Sequence, residues 1–315
     1  MAVPRVLAFG GYRPDRVVTN DELAQTVDTS DEWIRSRVGI ASRHIAADDE
    51  TVTDMAEAAG AKALAASGLS HTDIDLLIVA TCTQETPIPN VAASVADRLS
   101  MKGIAAFDLN AACAGFCYAL NVAADTVRAG TARHVLVIGA EKMSQWIDWT
   151  DRSTCIILAD GAGAAVVGAA GDGEPSGIGP VVWGSAGDMA DKIVIPDRNS
   201  FFQQDGQAVF RWTTVALAPL ALQACERAGV KPEEITAFVP HQANLRIIEA
   251  IARKIGISRE RLADDIISTG NTSGASIPLA LSRLAEQGRL EPGTPALLMG
   301  FGAGLSYAAQ VITLP

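Results

Sequence analysis

Residues 68–83 read GLSHTDIDLLIVATCT, and residues 229–244 read GVKPEEITAFVPHQAN. The two stretches lie 161 positions apart. Each opens on a glycine that can end a preceding helix, then runs through a polar linker into a short apolar segment that reads as a buried strand. At the same spacing RHVLVIG (133–139) meets TPALLMG (294–300), and Cys113-Ala114-Gly115 falls opposite Gly274-Ala275-Ser276. Few identities survive, and two generic βα units would share some of them. A register held without a gap across strand, helix and strand favours duplication.

Working outward, each half alternates apolar runs with helix-like segments, the pattern of parallel strands joined by helices. The expected fold is α/β, with two duplicated βα halves over residues 1–170 and 171–315. Packed face to face, they form five αβαβα layers about a pseudo-twofold axis. Functional residues then belong at strand-to-helix turns where the halves meet.

Composition narrows the function. Of 315 residues, 49% are apolar and 19% charged, enough for a sizeable core. The formal charge of −11 argues against nucleic acid as a partner, because phosphate binding needs a basic face. The five cysteines form no CxxC pair, so neither a zinc site nor a disulfide framework is indicated. The opening residues lack a signal-peptide pattern, and no run of about 18 uninterrupted apolar residues suggests a membrane span. A reducing cytoplasm is the expected setting.

The sharpest motif is DLNAACAGFCYAL (108–120), preceded by an apolar run. Cys113 falls at a helix N-terminus, where unpaired N–H groups and the macrodipole favour a thiolate, and a lowered pKa is expected. Flanking alanines and glycine leave room for a substrate carbonyl. Cys117 lies deeper in the same helix and reads as structural, as do Cys82, Cys155 and Cys225. In FVPHQANLRII (238–248), His241 ends an apolar strand before a helix, whereas His44, His71 and His134 read as surface residues. In STGNTSGASIP (268–278), Asn271 occupies the strand-to-helix turn that the repeat pairs with Cys113. MGFGAGLSY (299–307) offers backbone N–H groups that suit an oxyanion, or a plain turn. DGAGAA (160–165) reads as a similar Gly-rich turn.

Together, AACAGF, PHQAN, GNTS and GFGAGL resemble the motifs of β-ketoacyl-acyl carrier protein synthase III, a condensing enzyme of the thiolase fold. The likeness extends to SDEWIRSRVGI (30–40) and TDRST (150–154). It implies Cys113 as nucleophile, with His241 and Asn271 acting on the second substrate and Ala303 as an oxyanion donor. Trp33 and Arg152 would sandwich the CoA adenine, Arg37 and Thr29 would sit by its phosphates, and Gly206, Phe210 and Asn244 would line the pantetheine tunnel. Arg211, Arg246, Arg253 and Lys254 would dock an acidic carrier protein. Ile88, reaching across a homodimer interface, would close an acyl pocket with Met143 and Leu158.

The implied partners are acyl-CoA and malonyl-acyl carrier protein, with no metal, no redox cofactor, no nucleic acid and no membrane. Two departures from the family pattern stand out: Ser153 replaces a common glycine, and Ala303 interrupts a usual glycine triplet. The alternatives are a polyketide-priming synthase or acyltransferase of the same fold, a cysteine hydrolase, or a carrier-binding module without catalysis.

Overall fold

A computed structural model describes residues 2–171 and 177–315. The first half contains strands β1 (Pro4–Tyr12), β2 (Arg16–Thr19), β3 (Ser42–Ile45), β4 (Leu76–Ala80), β5 (Ala105–Leu109), β6 (His134–Lys142) and β7 (Asp160–Ala169). The second contains β8 (Val182–Ser185), β9 (Ile193–Val194), β10 (Gln203–Gln204), β11 (Ala237–Pro240), β12 (Pro295–Gly302) and β13 (Ser306–Thr313). The helices are α1 (Asn20–Leu23), α2 (Asp31–Val38), α3 (Val52–Ser67), α4 (Val91–Arg98), α5 (Gly115–Arg128), α6 (Gly206–Ala228), α7 (Leu245–Ile255), α8 (Ile266–Thr269) and α9 (Ser276–Glu286).

Two sheets carry the fold. The first runs β1-β7-β6-β4-β5 and the second β11-β12-β13-β8. Helices α5 and α9 lie between them, α3 and α4 cover the outer face of the first, and α6 with α7 covers the second. This is the five-layer thiolase arrangement. Each layer follows from its residues. LLIVA of β4 is buried throughout, as a central parallel strand must be. Sandwiched α5 buries Phe116, Cys117, Ala119, Leu120, Ala123, Ala124 and Val127, its alanines admitting a sheet on either side. Outer α7 is amphipathic. It buries Ile247, Ile248, Ile251 and Ile255, each contributing roughly 1.5–3 kcal/mol.

The repeat is written into the hydrogen-bond register. β4 pairs with β6 as Leu76 with Val135 and Val79 with Ile138, while β11 pairs with β12 as Ala237 with Ala296 and Pro240 with Met299. Gly68 and Gly229 are both left-handed caps, ending α3 and α6. The 3-10 turns Ala112–Ala114 and Ser273–Ala275 precede α5 and α9, whose first residues are again 161 apart. Even the backbone strain is duplicated, for Ala112 (φ 46°) and Ser273 (φ 48°) hold left-handed conformations unusual without glycine. The halves also meet reciprocally. A Cβ on Gly139 would overlap the Gly274 carbonyl oxygen, and one on Gly300 would lie 2.9 Å from Ala114 Cα.

Two expectations need correction. Residues 266–269 form α8 rather than a strand leading to Asn271, so β5 has no full counterpart, and Asn271 joins the structure by a single parallel bridge to Leu158. DGAGAA is no turn, because Asp160–Ala165 lies wholly buried inside β7. Its small residues let α9 approach, and a Cβ on Gly163 would meet Pro278 and Leu279. Helix α6 is long and apolar enough, by length and composition, to cross a membrane, although Arg211, Gln223, Glu226 and Arg227 interrupt its apolar run. Here it carries Pro219 and packs against β13, β12 and β8.

Candidate active site

Cys113 sits in the 3-10 turn just before α5, and Ala303 follows the end of β12. The backbone N–H groups of both residues converge on the Cys113 sulfur. Close approach of the two turns leaves no room for a side chain at Gly302, where a Cβ would stand 2.6 Å from Cys113 Cβ and 2.9 Å from its Sγ. The expected lowering of the thiol pKa is not found. Burial pushes Cys113 up to about 11, and the Glu141 carboxylate adds to the rise. The Ser273 hydroxyl and the two N–H groups draw it partly back. Desolvation in this closed site outweighs the helix terminus, since α5 itself begins only at Gly115.

His241 follows β11, with its N–H donated to the Met299 carbonyl (2.8 Å). Its Nδ1 lies 2.7 Å from Ser276 Oγ, and Phe301 meets the ring edge-on at 5.2 Å. Burial pushes the imidazole down to about 3, so it is neutral at physiological pH. Ser276 Oγ already accepts the Gln242 N–H (3.3 Å), which favours its own proton on Nδ1 and leaves the imidazole proton at Nε2. Asn271 Oδ1 accepts the Ser273 N–H (2.9 Å), fixing the amide orientation, and no described residue accepts from Nδ2.

Two cavities meet at Cys113. One, of about 340 Å³, is lined by Cys113, His241 and Asn271 and also by Trp33, Arg37, Gly206, Phe210 and Asn244. The other, of about 570 Å³, includes Cys82, Trp146 and Phe202. Met143 borders both, whereas Leu158 lines only the smaller. Ile88 lines neither, being 83% exposed on this single chain.

At the mouth, the Arg152 and Arg37 guanidinium carbons lie 5.1 and 5.7 Å from the Trp33 ring centroid. Trp33 and Arg152 are therefore already closed on each other. A base between them needs two contacts of about 3.5 Å each, so the pair must part to admit one. Arg152 is meanwhile tethered to the Asp28 carbonyl (2.7 Å). Thr29 Oγ1 is buried with no partner among the described residues, an arrangement suited to a ligand contact. The Asn244 side chain caps α7 by accepting the Arg246 N–H (2.9 Å) while lining the tunnel. Arg211, Arg246, Arg253 and Lys254 are all exposed on α6 and α7. Arg246 lies over the Phe210 ring (5.7 Å), and Lys254 donates to the Thr214 carbonyl.

The sequence reading missed Glu141. It is fully buried near the end of β6 and accepts hydrogen bonds from Thr83, Thr81, Cys82, Ser273 and Gly274. Burial raises its pKa, and the hydrogen bonds from Thr83, Cys82 and Ser273 draw it partly back. Ser273 Oγ also lies 3.4 Å from Cys113 Sγ and 3.8 Å from Cys82 Sγ, so Cys82 is no remote core cysteine. No group of three His, Cys, Asp or Glu able to hold a metal occurs among the described residues.

Comparison with known proteins agrees with this geometry. Residues 107–187 match the model for 3-oxoacyl-(acyl-carrier-protein) synthase III, and residues 225–314 match that for its C-terminal part. A β-ketoacyl-(acyl-carrier-protein) synthase III of Streptomyces coelicolor is 55% identical over 99% of this chain and 98% of its own length. A mycobacterial synthase III of Mycobacterium avium is 49% identical over 98% and 95%. Among solved structures, the priming β-ketosynthase of the R1128 polyketide pathway superposes with a TM-score of 0.95 at 44% identity, covering 100% of this chain and 97% of that one. The synthase III of Aquifex aeolicus gives 0.95 at 40%, covering 98% and 99%. Matched along nearly its whole length and in its fold, the chain belongs to the 3-oxoacyl-(acyl-carrier-protein) synthase III family of condensing enzymes.

Proposed function

We propose that the chain joins an acyl-CoA primer to malonyl-acyl carrier protein by decarboxylative condensation, giving β-ketoacyl-carrier protein. The observation that carries this reading is one cavity in which Cys113, His241 and Asn271 converge below Trp33 and Arg37. The Cys113 thiolate attacks the acyl-CoA thioester, and the N–H groups of Cys113 and Ala303 receive the oxyanion. CoA departs and the acyl group stays on sulfur. Malonyl-carrier protein follows, its thioester carbonyl accepting from His241 Nε2 and Asn271 Nδ2. That stabilises the enolate as carbon dioxide leaves, and the carbanion then attacks acyl-Cys113. Loss of carbon dioxide drives the bond formation, so no metal or redox group is required. Acetyl-CoA with malonyl-carrier protein tests the reading directly. Condensation supports it; hydrolysis or no turnover overturns it.

The same chemistry serves fatty acid or polyketide priming, and the likeness to the R1128 enzyme keeps the second pathway in view. Residues 1–170 and 171–315 are proposed as the two halves, and the free thiols fit a reducing cytoplasm.

Carrier docking is assigned to Arg211, Arg246, Arg253 and Lys254, a local basic surface on an acidic chain. Reversal of Arg246 to glutamate is expected to raise the apparent KM for malonyl-carrier protein severalfold. Acyl-CoA loading should hardly change. The defect should fade with salt, because screening acts over about 10 Å at 0.1 M. Unaltered carrier kinetics would leave the patch a solvated face.

A homodimer is proposed from β5, an edge strand with half-exposed Phe107, and from exposed Ile88. Ile88 then closes the partner's acyl pocket, where a smaller aliphatic side chain leaves space for primers beyond acetyl. Ile88→Phe is expected to shift preference toward acetyl-CoA over butyryl- and isobutyryl-CoA by roughly 5- to 150-fold, since overpacking costs about 1–3 kcal/mol. An unchanged kcat/KM ratio removes Ile88 as the determinant.

A further inference from the structure

Cys113 as nucleophile leaves a proton without a destination. The buried imidazole of His241 is held on Ser276, and it serves the second half-reaction as a donor. A different path touches the sulfur. Cys113 Sγ lies 3.4 Å from Ser273 Oγ, and Ser273 Oγ donates to Glu141 Oε1 at 3.0 Å. Ser273 holds a left-handed backbone conformation (φ 48°) rare for a residue with a side chain, and such strain concentrates at functional positions. Thiol, hydroxyl and carboxylate thus form an unbroken donor-to-acceptor chain inside the protein.

We propose that Ser273 and Glu141 form a proton relay for Cys113, in which the thiol proton passes to Ser273 Oγ as the Ser273 hydroxyl proton passes to Glu141 Oε1. Loading begins with one negative charge, on Glu141, and proceeds with one negative charge, on Cys113. Removing the carboxylate charge as the thiolate forms abolishes the repulsion that otherwise opposes it. Both positions are furnished for the charge. Glu141 has the Thr81 and Thr83 hydroxyls and the Cys82 and Gly274 N–H groups. The thiolate has the N–H groups of Cys113 and Ala303. When the carbanion later displaces the thiolate, the proton returns by the same route and restores the resting thiol. Ser273 and Glu141 are positioning residues, acting through Cys113 rather than on substrate.

Other titratable groups facing this chain are engaged elsewhere or share it. Lys142 Nζ turns to the carbonyls of Ala47, Asp48 and Glu50. Asp160 accepts from Ser144 and the Ala46 N–H, and Asp108 from the N–H groups of Val91 and Ala92. Cys82 Sγ lies 3.4 Å from Glu141 Oε1, with its own thiol raised by burial.

The proposal rests on reading Cys113 as the acylated residue, and the test separates the two. Single-turnover loading from acetyl-CoA is followed by intact mass against pH in wild type, Ser273→Ala and Glu141→Gln, with the adduct mapped. Decarboxylation of malonyl-carrier protein is measured alongside. Ser273→Ala keeps the backbone N–H that orients Asn271, so decarboxylation should fall far less than loading. Loading should drop by about 10²-fold at pH 7 in both variants, within the usual range for general acid–base groups. It should then climb by about tenfold per pH unit as hydroxide takes over the proton, approaching wild type in alkali. A structural defect would not be rescued by pH. Should one variant fail to fold, the other decides the same question. Wild-type rates and pH dependence, or loading and decarboxylation lost together without alkaline rescue, overturn the relay alone. An adduct elsewhere than Cys113 overturns both it and the nucleophile assignment.

Discussion

Cys113→Ala or Cys113→Ser is expected to lower acyl transfer by about 10⁴-fold or more, the scale on which loss of a nucleophile is felt. Intact mass of the wild type after acetyl-CoA should show one acyl adduct per chain, mapped to Cys113. The contrast with its neighbours is physical. Cys117 is sealed within α5 and pushed up to about 12 by burial, Cys155 is likewise buried and raised to about 11, and Cys225 is raised too. Only Cys113 combines access from two cavities with N–H groups converging on its sulfur. An adduct on Cys117 would sink the assignment. One on Cys82, which borders the larger cavity, would move the chemistry across the Ser273 hydroxyl.

His241→Ala and Asn271→Ala should split the reaction. Each removes a side-chain donor proposed for the malonyl thioester carbonyl, and one such donor contributes about 10²–10³ in rate. Decarboxylation and condensation should fall by that factor. Loading should survive much better, because the oxyanion donors proposed for it are the backbone N–H groups of Cys113 and Ala303. The buried, neutral imidazole is suited to this role. Titrating down to about 3, it remains a neutral donor across the working range, so decarboxylation should show no loss as pH falls through 6.5. Stopped assays of carbon dioxide release, with acyl-Cys113 followed separately, distinguish the half-reactions. Equal collapse of both in Asn271→Ala would contradict its role.

Much of this architecture is legible in the chain. The spacing between Gly68 and Gly229 becomes strand register, cap geometry and turn geometry alike. Cys113 and His241 stand in motifs whose strand-to-helix setting carries chemical meaning, and Asn271 stands in a motif that opens the way to α9. What escapes a sequence reading depends on contacts between distant segments. Glu141 follows the apolar run of β6, and no motif around it marks it out. It is buried because residues 81–83 and 273–274 close over it, which no local pattern encodes. Ser273 stands inside the GNTS motif, yet its importance lies in two partners 160 and 132 positions away. The thiol pKa moves opposite to the expected direction for the same reason, since a helix terminus is local and desolvation is not. Asp160–Ala165 resembles a turn because glycine reads as flexibility, whereas here it makes room for α9.

The reciprocal seating of Gly139 on the Gly274 turn and of Gly300 against Ala114 has a consequence for descent. After duplication, most positions of one copy were free to drift from the other, and most did. These were not, because each copy became part of the other's mould. Gly139 and Gly300 remain the same residue, and so do Ala114 and Ala275. The kinship of the two halves is still visible where they touch, while the turns between those anchors diverged, one keeping a cysteine and the other a serine beside it.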